Sequence, residues 1–195
     1  MKFFRPSSFA DVVPRIDGEG VYLRPPEMGD YDAWASLRLE SRHFLEPWEP
    51  VWPADEHSRS SYRARMRRYS RDVRSDMGYP FFVFHAETGR LLGGLTIGQI
   101  RRGVSQTASL GYWMGQPHAG KGYMTRAVRA VAPHVFERLG LRRIEAACLP
   151  ENAASIRLLE KVGFTREGYA RSYLCIAGAW RDHLLYALLH DDLKR

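Results

Sequence analysis

Cysteine is scarce in this chain of 195 residues, which contains only Cys148 and Cys175. The two cysteines lie in separate apolar segments and show no C-x-x-C spacing, so we predict neither a disulfide framework nor a zinc site. We expect both to be reduced thiols in the core of a cytoplasmic protein, and we expect no bound metal.

Long apolar runs are absent as well. The longest, at residues 79–84 and 184–189, are far shorter than the roughly 18 residues of a membrane-spanning helix. The N-terminus is basic at Lys2 and Arg5, but the apolar stretch of a secretion signal does not follow. We therefore expect a cytoplasmic protein that makes no membrane contact.

Internal repeats, low-complexity tracts and linkers rich in proline, glycine or serine are also missing. Domains typically run to roughly 100 to 200 residues, so a chain of this length suits one well-buried core and is short for two. The sequence predicts a single domain over residues 1–195, with residues 1–19 as an N-terminal extension.

Acidic residues are outnumbered by basic ones, 22 to 29, which gives a formal net charge of +7. Such a charge favours acidic partners, for example RNA, ribosomes or phosphate-bearing cofactors. One face of a helix predicted at residues 55–74 carries arginines at three- and four-residue spacing, namely Arg59, Arg63, Arg67, Arg71 and Arg74. The face spanning Arg59–Arg74 is either solvated or in weak contact with RNA or the ribosome.

Helix and strand signals alternate in the order β α α β β β α β α β β. Asp30 is the predicted N-cap of the first helix, whose apolar positions include Trp34 and Leu39. Residues 41–53 are aromatic and contain three prolines, so they predict an ordered loop rather than a continuous helix. Residues 125–139 form an apolar stripe of a core-facing helix, which Pro133 should kink and Gly140 should end.

A glycine-rich loop separates a predicted strand from this long helix. Backbone N–H groups at a helix start are unpaired and carry the positive end of the helix dipole, so strand, loop and helix together predict an anion site. Residues 115–122, GQPHAGKG, match a Walker A phosphate loop except that Gly122 replaces the hydroxyl residue that holds magnesium. A third interpretation is a plain loop before a core helix.

Two segments resemble the GNAT superfamily of acetyltransferases. Its pyrophosphate-loop pattern, [Gln/Arg]-x-x-Gly-x-[Gly/Ala], falls on Ala119-Gly120-Lys121-Gly122-Tyr123-Met124, where Gly122 matches and Ala119 and Met124 depart from it. Its second segment that contacts coenzyme A resembles residues 150–168, with Asn152, Ser155, Gly163 and Phe164 at the recurring positions. Asn152 is equally well placed as a helix N-cap. Residues 41–50 and 168–185 resemble the ribosomal-protein-alanine N-acetyltransferases of the RimJ type.

This resemblance runs from about residue 20 to residue 190 and implies the fold and the reaction. The fold would be α+β, a three-layer α-β-α sandwich around a mixed, mostly antiparallel sheet of about six to seven strands. The reaction would transfer the acetyl group of acetyl-CoA to a primary amine by direct attack through a tetrahedral intermediate. The implied acceptor is the N-terminal alanine of a ribosomal protein. The alternatives are a small-molecule amine or antibiotic as acceptor, or a ribosome-associated assembly factor.

The resemblance also implies roles for particular residues. Gly120 to Met124 would bind the pyrophosphate through backbone N–H groups, with a charge from Lys121. Backbone groups of Tyr112, Trp113 and Met114 would align the pantetheine and the thioester. In many relatives a tyrosine seven residues after the asparagine protonates the thiolate, but Leu159 stands there. Ser155 is the predicted proton donor instead, as in relatives that act on ribosomal proteins.

The base that accepts the proton of the amine has several candidates. An N-terminal α-amine has a pKa near 7.7 to 8.0, so about a tenth of it is neutral at pH 7 and it needs little help. Glu49, acting through water, is the leading candidate, and the others are Glu46, Glu145, Asp182 and His183. The aromatic residues Phe44, Trp48 and Trp52 either line the acceptor groove or serve only local packing.

Overall fold

One mixed sheet of eight strands organises residues 13–194, which are the residues that the structure, a computed structural model, describes. The strands are β1 (Ile16–Gly18), β2 (Val21–Arg24), β3 (Gly78–His85), β4 (Leu91–Arg101), β5 (Thr107–Met114), β6 (Arg143–Cys148), β7 (Thr165–Ile176) and β8 (Ala179–Leu189). They lie in the order β1-β2-β3-β4-β5-β6-β8-β7, and β5 and β6 are the parallel pair among antiparallel neighbours.

Helices cover both faces of this sheet. They are α1 (Tyr31–Glu40), α2 (Arg42–Leu45), α3 (Arg59–Arg74), α4 (Tyr123–Pro133) and α5 (Ala153–Val162). Short 3₁₀ turns lie at Met28–Asp30, Glu46–Trp48, Gln116–His118 and His190–Lys194, and a π-helical turn lies at His134–Arg138. No helix within residues 13–194 is long and apolar enough to span a membrane.

Two apolar cores, one on each face, hold the three layers together. Alternate residues of β3 divide between them, because successive side chains of a strand point to opposite faces. Phe81 of β3 packs in the core beneath α4 and α5, whereas Phe82 packs in the core beneath α1 and α3 with Trp34 and Tyr62. The predicted α+β sandwich is confirmed.

The sheet has one strand more than the seven in the predicted order. Residues 16–18, which the sequence placed in an N-terminal extension, form β1 and pair with β2. Glycine at position 18 lets β1 lie this close to α4. Any other residue would place its Cβ 2.9 Å from the Cβ of Ala130, which is too short for two carbon atoms. The predicted first residues of the extension, 1–12, lie outside the described residues.

Helix α1 differs from its prediction in two ways. Asp30 makes no side-chain cap; its carboxylate instead accepts bonds from the Arg24 guanidinium, at 2.8 and 2.6 Å, and from the Glu27 N–H at 2.8 Å. Leu39 was predicted to be apolar core, and it is 53% exposed, whereas Arg38 beside it is 6% exposed. The stripe of α1 is therefore rotated toward Arg38.

Other predicted boundaries and environments also need correction. The segment 41–53 is helical in its first half, through α2 and the turn Glu46–Trp48. The helix predicted from residue 55 begins at Arg59, after the Ser58 hydroxyl accepts the Ser61 N–H at 3.1 Å. Pro133 ends α4 and is followed by the wider π-helical turn, because proline has no N–H to donate. Cys148 is buried as predicted, but Cys175 is exposed.

Strands β5 and β6 diverge after a short parallel contact. They pair only from Thr107 to Ser109, opposite Arg143 to Glu145, although β5 continues to Met114 and β6 to Cys148. On its other edge β5 stays paired with β4 as far as Met114. The edge of β5 beyond Ser109 therefore has no strand partner on the β6 side within the described residues, and its backbone groups need another one.

Candidate active site

The loop after β5 leads directly into α4. Gly120 and Gly122 in this loop have φ angles of 73° and 78°, a left-handed conformation that costs a residue with a side chain roughly 1–2 kcal/mol. Gly122 is the N-cap of α4, and no side chain caps the helix there. The first N–H groups of α4 are therefore available to an anion.

The predicted pyrophosphate-loop residues lie together at this helix end. Ala119 ends the 3₁₀ turn, and the Lys121 ammonium donates to the carbonyl of Pro117 at 2.8 Å. Tyr123 packs edge-on against His85 with 5.6 Å between ring centroids. Met124 is buried in the core, so its side chain serves packing and only its backbone can face a ligand. The left-handed φ of Gly122 also disfavours the serine or threonine of a Walker A loop at that position.

A buried polar cluster lies where β5 and β6 diverge. The hydroxyl oxygens of Tyr112 on β5 and Ser155 on α5 are 2.6 Å apart. Asn152 is the N-cap of α5, and its side-chain oxygen accepts the Ser155 N–H at 3.0 Å. Burial raises the pKa of the Tyr112 hydroxyl and of the Cys148 thiol, and hydrogen bonding by Ser155 partly offsets both shifts. The cluster thus holds neutral hydroxyl and thiol groups at neutral pH.

A second cluster occupies the other face of the sheet. The buried Arg38 guanidinium donates to both carboxylate oxygens of Glu49, at 2.7 and 2.6 Å, and the Trp52 indole N–H donates to one of them at 2.7 Å. Arg38 also lies 4.3 Å from the ring centroid of Trp52 and 5.0 Å from that of Trp113. These contacts fix the aromatic loop over the end of β5.

His57 completes this second cluster. Its ring lies 5.0 Å from that of Trp52 and 5.5 Å from that of Trp34, measured between centroids. Burial, followed by the charge of Arg38, lowers the pKa of His57. Its buried Nε2 atom has no hydrogen-bond partner among the described residues. A neutral imidazole of this kind can accept a proton.

The candidate bases have different environments. Both oxygens of Glu49 are engaged by Arg38, so Glu49 can take a proton only if one of those bonds loosens or a water bridges to it. Glu46 pairs with Arg42, Glu145 pairs with Arg101 and Arg143, Asp182 accepts bonds from Tyr169 and Ser172, and His183 is buried against the carbonyl of Arg181. Of these groups, Glu49 is the one that packs with Trp52 and Arg38 beside Trp113 of β5.

The aromatic loop also meets the β7–β8 hairpin. The Ala177 N–H at the hairpin turn donates to the carbonyl of Glu49 at 2.9 Å. Phe44 and Trp48 are half-buried, whereas Val51 and Trp180 are 69% and 67% exposed. Loop and hairpin therefore present exposed apolar side chains close to the Arg38 cluster.

Sequence reasoning missed Arg38 and His57 and the bond between Tyr112 and Ser155. Arg38 stands on a helix of mixed polarity, where nothing in the pattern marks it as buried. The Tyr112 hydroxyl meets Ser155 across 43 residues of chain, and such a contact has no local sequence signal. Within residues 13–194 no group of three or more histidine, cysteine or acidic side chains is arranged to hold a metal.

The chain is similar in sequence to known acetyltransferases. A family model described as an acetyltransferase (GNAT) domain matches residues 21–165. The chain is 40% identical over 177 residues to the probable N-acetyltransferase YjcK of Bacillus subtilis (strain 168), covering 91% of this chain and 98% of that protein. It is 36% identical over 165 residues to the ribosomal protein uS5-alanine N-acetyltransferase of Escherichia coli (strain K12), covering 84% of this chain and 85% of that protein.

The fold is also similar to that of a solved acetyltransferase structure. Mycobacterium smegmatis RimJ, in complex with CoA-disulfide, superposes with a TM-score of 0.87 at 36% sequence identity. The match covers 96% of this chain and 91% of that one.

Proposed function

Since this chain belongs to the GNAT family of acetyl-CoA-dependent N-acetyltransferases, we propose that its acceptor is the α-amine of a protein N-terminus that begins with alanine, in a ribosomal protein. The similarity to the uS5-alanine acetyltransferase, at 36% identity over 84% of the chain, carries this proposal. The aromatic loop and the β7–β8 hairpin are the segments that an acceptor would meet.

The residues present fit acetyl-CoA. Gly120 and Gly122 let the backbone approach a pyrophosphate closely, and the uncapped start of α4 offers N–H donors to its charge. Within residues 13–194 the edge of β5 from Leu110 to Met114 has no strand partner on the β6 side, so it can bond the amide groups of pantetheine. Bound there, acetyl-CoA supplies the activated acetyl group as a thioester.

The acceptor amine approaches from the side of the aromatic loop. An α-amine is partly neutral at pH 7, so the site has to remove only one proton as the nitrogen bonds to the acetyl carbon. Glu49, through a bridging water, is the proposed acceptor of that proton.

The leaving thiolate receives its proton from Ser155. The carbon–nitrogen bond forms first and gives a tetrahedral intermediate; when this collapses, the carbon–sulfur bond breaks and the Ser155 proton passes to the sulfur. Tyr112 holds the Ser155 hydroxyl in place, because the two oxygens are 2.6 Å apart and burial keeps Tyr112 protonated, and Ser155 regains its proton from water once CoA thiol has left. Tyr112 is thus a positioning residue behind Ser155.

Release of CoA thiol from acetyl-CoA tests the acceptor. The matched substrates are a peptide that begins with a free alanine and contains no lysine, the same peptide with its N-terminus blocked, and the blocked peptide with an internal lysine. We expect turnover with the free alanine terminus only, and a kcat/KM that rises with pH toward the pKa of the α-amine, roughly 7.7 to 8.0.

Two outcomes would reject the proposal. Turnover of the blocked, lysine-containing peptide at an equal rate would show a side-chain acceptor. Tight acetyl-CoA binding without turnover of any peptide would point to a small-molecule amine. Glu49→Gln should lower kcat/KM for the alanine peptide but keep its rise with pH, which belongs to the α-amine, whereas Glu46→Gln in the same loop should leave kcat/KM unchanged.

A further inference from the structure

Helix α3 presents an unusually basic outer face. It contains seven arginines, of which Arg59 pairs with Asp32 and Arg65 with Glu56. The other five are exposed, and none of them has an acidic partner within residues 13–194: Arg63, Arg67, Arg68, Arg71 and Arg74. These five residues are called the basic face below.

The charges of the basic face are regularly spaced along one side of the helix. Arg63, Arg67 and Arg71 follow one another at four-residue spacing, a rise of about 6 Å per step, and the face extends for about 16 Å from Arg63 to Arg74. Like charges at this spacing destabilise a helix by roughly 0.2–0.5 kcal/mol per pair. The arrangement weakens the isolated fold and favours an anionic partner.

The chemistry of the face selects among anionic partners. A protein partner would need an apolar centre for its interface, yet the largest exposed apolar side chain on α3 is that of Ala64. Exposed aromatic rings, on which the bases of a single strand would stack, are also missing from this described helix. Guanidinium groups bind phosphate with two parallel hydrogen bonds. A row of phosphates on a duplex fits these features.

The position of α3 connects it with the acceptor side of the molecule. Tyr62 of α3 packs on Trp34, and Arg65 of α3 pairs with Glu56 at the end of the aromatic loop. The basic face therefore lies on the same side of the sheet as the Arg38 cluster, away from α4 and α5.

We propose that the basic face of α3 binds the phosphate backbone of double-stranded RNA. Contact with phosphates alone makes this binding independent of sequence and sensitive to salt. The choice of RNA over DNA rests on the proposed function, since a ribosomal-protein acceptor is held among RNA helices. The face would then bring the acceptor loop to a protein N-terminus that emerges beside a duplex.

Fluorescence anisotropy with a labelled RNA duplex of about 20 base pairs tests this proposal. The test variant is Arg67→Gln with Arg71→Gln, and the matched control, which removes the same charge from exposed arginines elsewhere, is Arg138→Gln with Arg166→Gln. We expect the α3 variant to bind about tenfold or more weakly and its salt slope to fall by about 1.8, as for two lost phosphate contacts. The control should bind within about twofold of the wild type, as expected for phosphate contacts confined to α3.

Two results would overturn the proposal: no binding of RNA by the wild-type protein at moderate salt, or equal losses in the two variants. Tighter binding of an acidic peptide than of RNA would replace it with a protein partner. Glutamine is a good helix former and relieves repulsion, so the α3 variant should melt no lower than the wild type. Turnover of the free alanine peptide should be unchanged in both variants; its absence in all proteins would reject the proposed acceptor and not the basic face.

Discussion

Ser155 and Tyr112 form one unit at the scale of single residues. Ser155→Ala removes the proposed proton donor to the thiolate, so we expect kcat to fall by about 10²-fold, the lower end for a general acid because a thiolate leaves readily. Tyr112→Phe keeps the Ser155 hydroxyl and should lower kcat several-fold. Single-turnover acetyl transfer, with acetyl-CoA affinity measured separately, checks both values.

Stability provides the control for this pair. Each substitution leaves a buried hydroxyl without its partner, which costs roughly 1–3 kcal/mol in the free energy of unfolding. Tyr79→Phe removes another tyrosine hydrogen bond, from the Tyr79 hydroxyl to Asp76 at 2.9 Å, on strand β3, which is not a neighbour of β5. It should lower stability without lowering kcat. Full activity in Ser155→Ala under single-turnover conditions would show that another group, or water, protonates the thiolate.

The contribution of the Arg38–Glu49 ion pair to the free energy of unfolding can also be tested at this scale. Their side chains are 7% and 21% exposed, so removal of one partner leaves a largely buried charge. A double-mutant cycle with Arg38→Met and Glu49→Gln should give a coupling of about 1–3 kcal/mol in urea unfolding.

The matched cycle uses Arg59 and Asp32, whose side chains are 61% and 78% exposed. Exposed pairs contribute little, so Arg59→Met with Asp32→Asn should give a coupling below about 0.5 kcal/mol. Equal coupling in the two cycles would mean that Trp52 and Trp113, rather than charge, hold Arg38 in place.

The residues of the site differ in how far the sequence predicts them. Gly122, Asn152 and Ser155 stand in segments whose local structure is set by neighbours in the chain, a helix start in each case. Their positions followed from local patterns and resemblance. Arg38 and His57 acquire their environments from aromatic side chains on other elements. The apolar residues of α1 include Trp34, which is buried, but also Leu39, which is exposed, and they do not mark Arg38 as buried.

At the scale of elements, Gly94 of β4 leaves the space that Trp113 of β5 occupies, and Gly98 of the same strand provides a comparison. A Cβ on Gly94 would lie 2.4 Å from the indole nitrogen of Trp113, whereas the nearest atom to a Cβ on Gly98 is 3.7 Å away. Gly94→Ala must displace Trp113 and the Arg38 guanidinium above it, so we expect a loss of about 1–3 kcal/mol in stability and an altered near-ultraviolet circular dichroism spectrum.

Gly98→Ala tests the same substitution in the same strand without the clash. We expect stability within about 0.5 kcal/mol of the wild type, or a slight gain because alanine restricts the unfolded chain. An unchanged spectrum in Gly94→Ala would contradict the close packing of Trp113 on β4.

The sequence predicts elements whose turns and helix caps are encoded locally. It does not predict elements that form only because they pack against neighbours distant in the chain. The meander β3–β5, α5 with its Asn152 cap and Gly163 end, and the β7–β8 hairpin agree with the sequence because turns and caps fix them locally. Strand β1 has three residues and exists because β2 and α4 leave room for it. Proline content alone did not reveal that the segment 41–53 begins with a helical turn.

At the scale of the whole molecule, the sheet separates the residues proposed to bind the cofactor from those proposed to meet the acceptor. The face beneath α4 and α5 carries Ser155, Tyr112 and the glycine loop, and the opposite face carries Arg38, Glu49 and the basic helix α3. Strand β5 connects the faces, since Tyr112 and the next residue, Trp113, point to opposite sides. An acetyl group bound along β5 would thus be reached by an amine from the acceptor side and by the Ser155 proton from the cofactor side.

Histidines couple the stability of this whole structure to pH. Burial lowers the pKa of His57, His118 and His134, and the nearby cations Arg38, Lys121 and Arg138 lower it further. Between these lowered values and the ordinary value of about 6.5, the unfolded chain binds more protons than the folded one, so stability rises with pH through that window. Asp76 and Glu167, whose pKa values are lowered by Arg102 and Arg143, act in the same direction but only near pH 4.

We therefore expect the urea midpoint to decrease between about pH 7.5 and about pH 5.5, with an unchanged m-value, because only the histidines change their proton uptake there. His134→Gln removes one of these groups and should reduce the decrease, whereas His43→Gln, at an exposed position, should not. A midpoint that stays constant or rises as the pH is lowered would show that the three imidazoles are solvated in the folded protein, and His57 would then lose its place as a neutral group beside the acceptor loop.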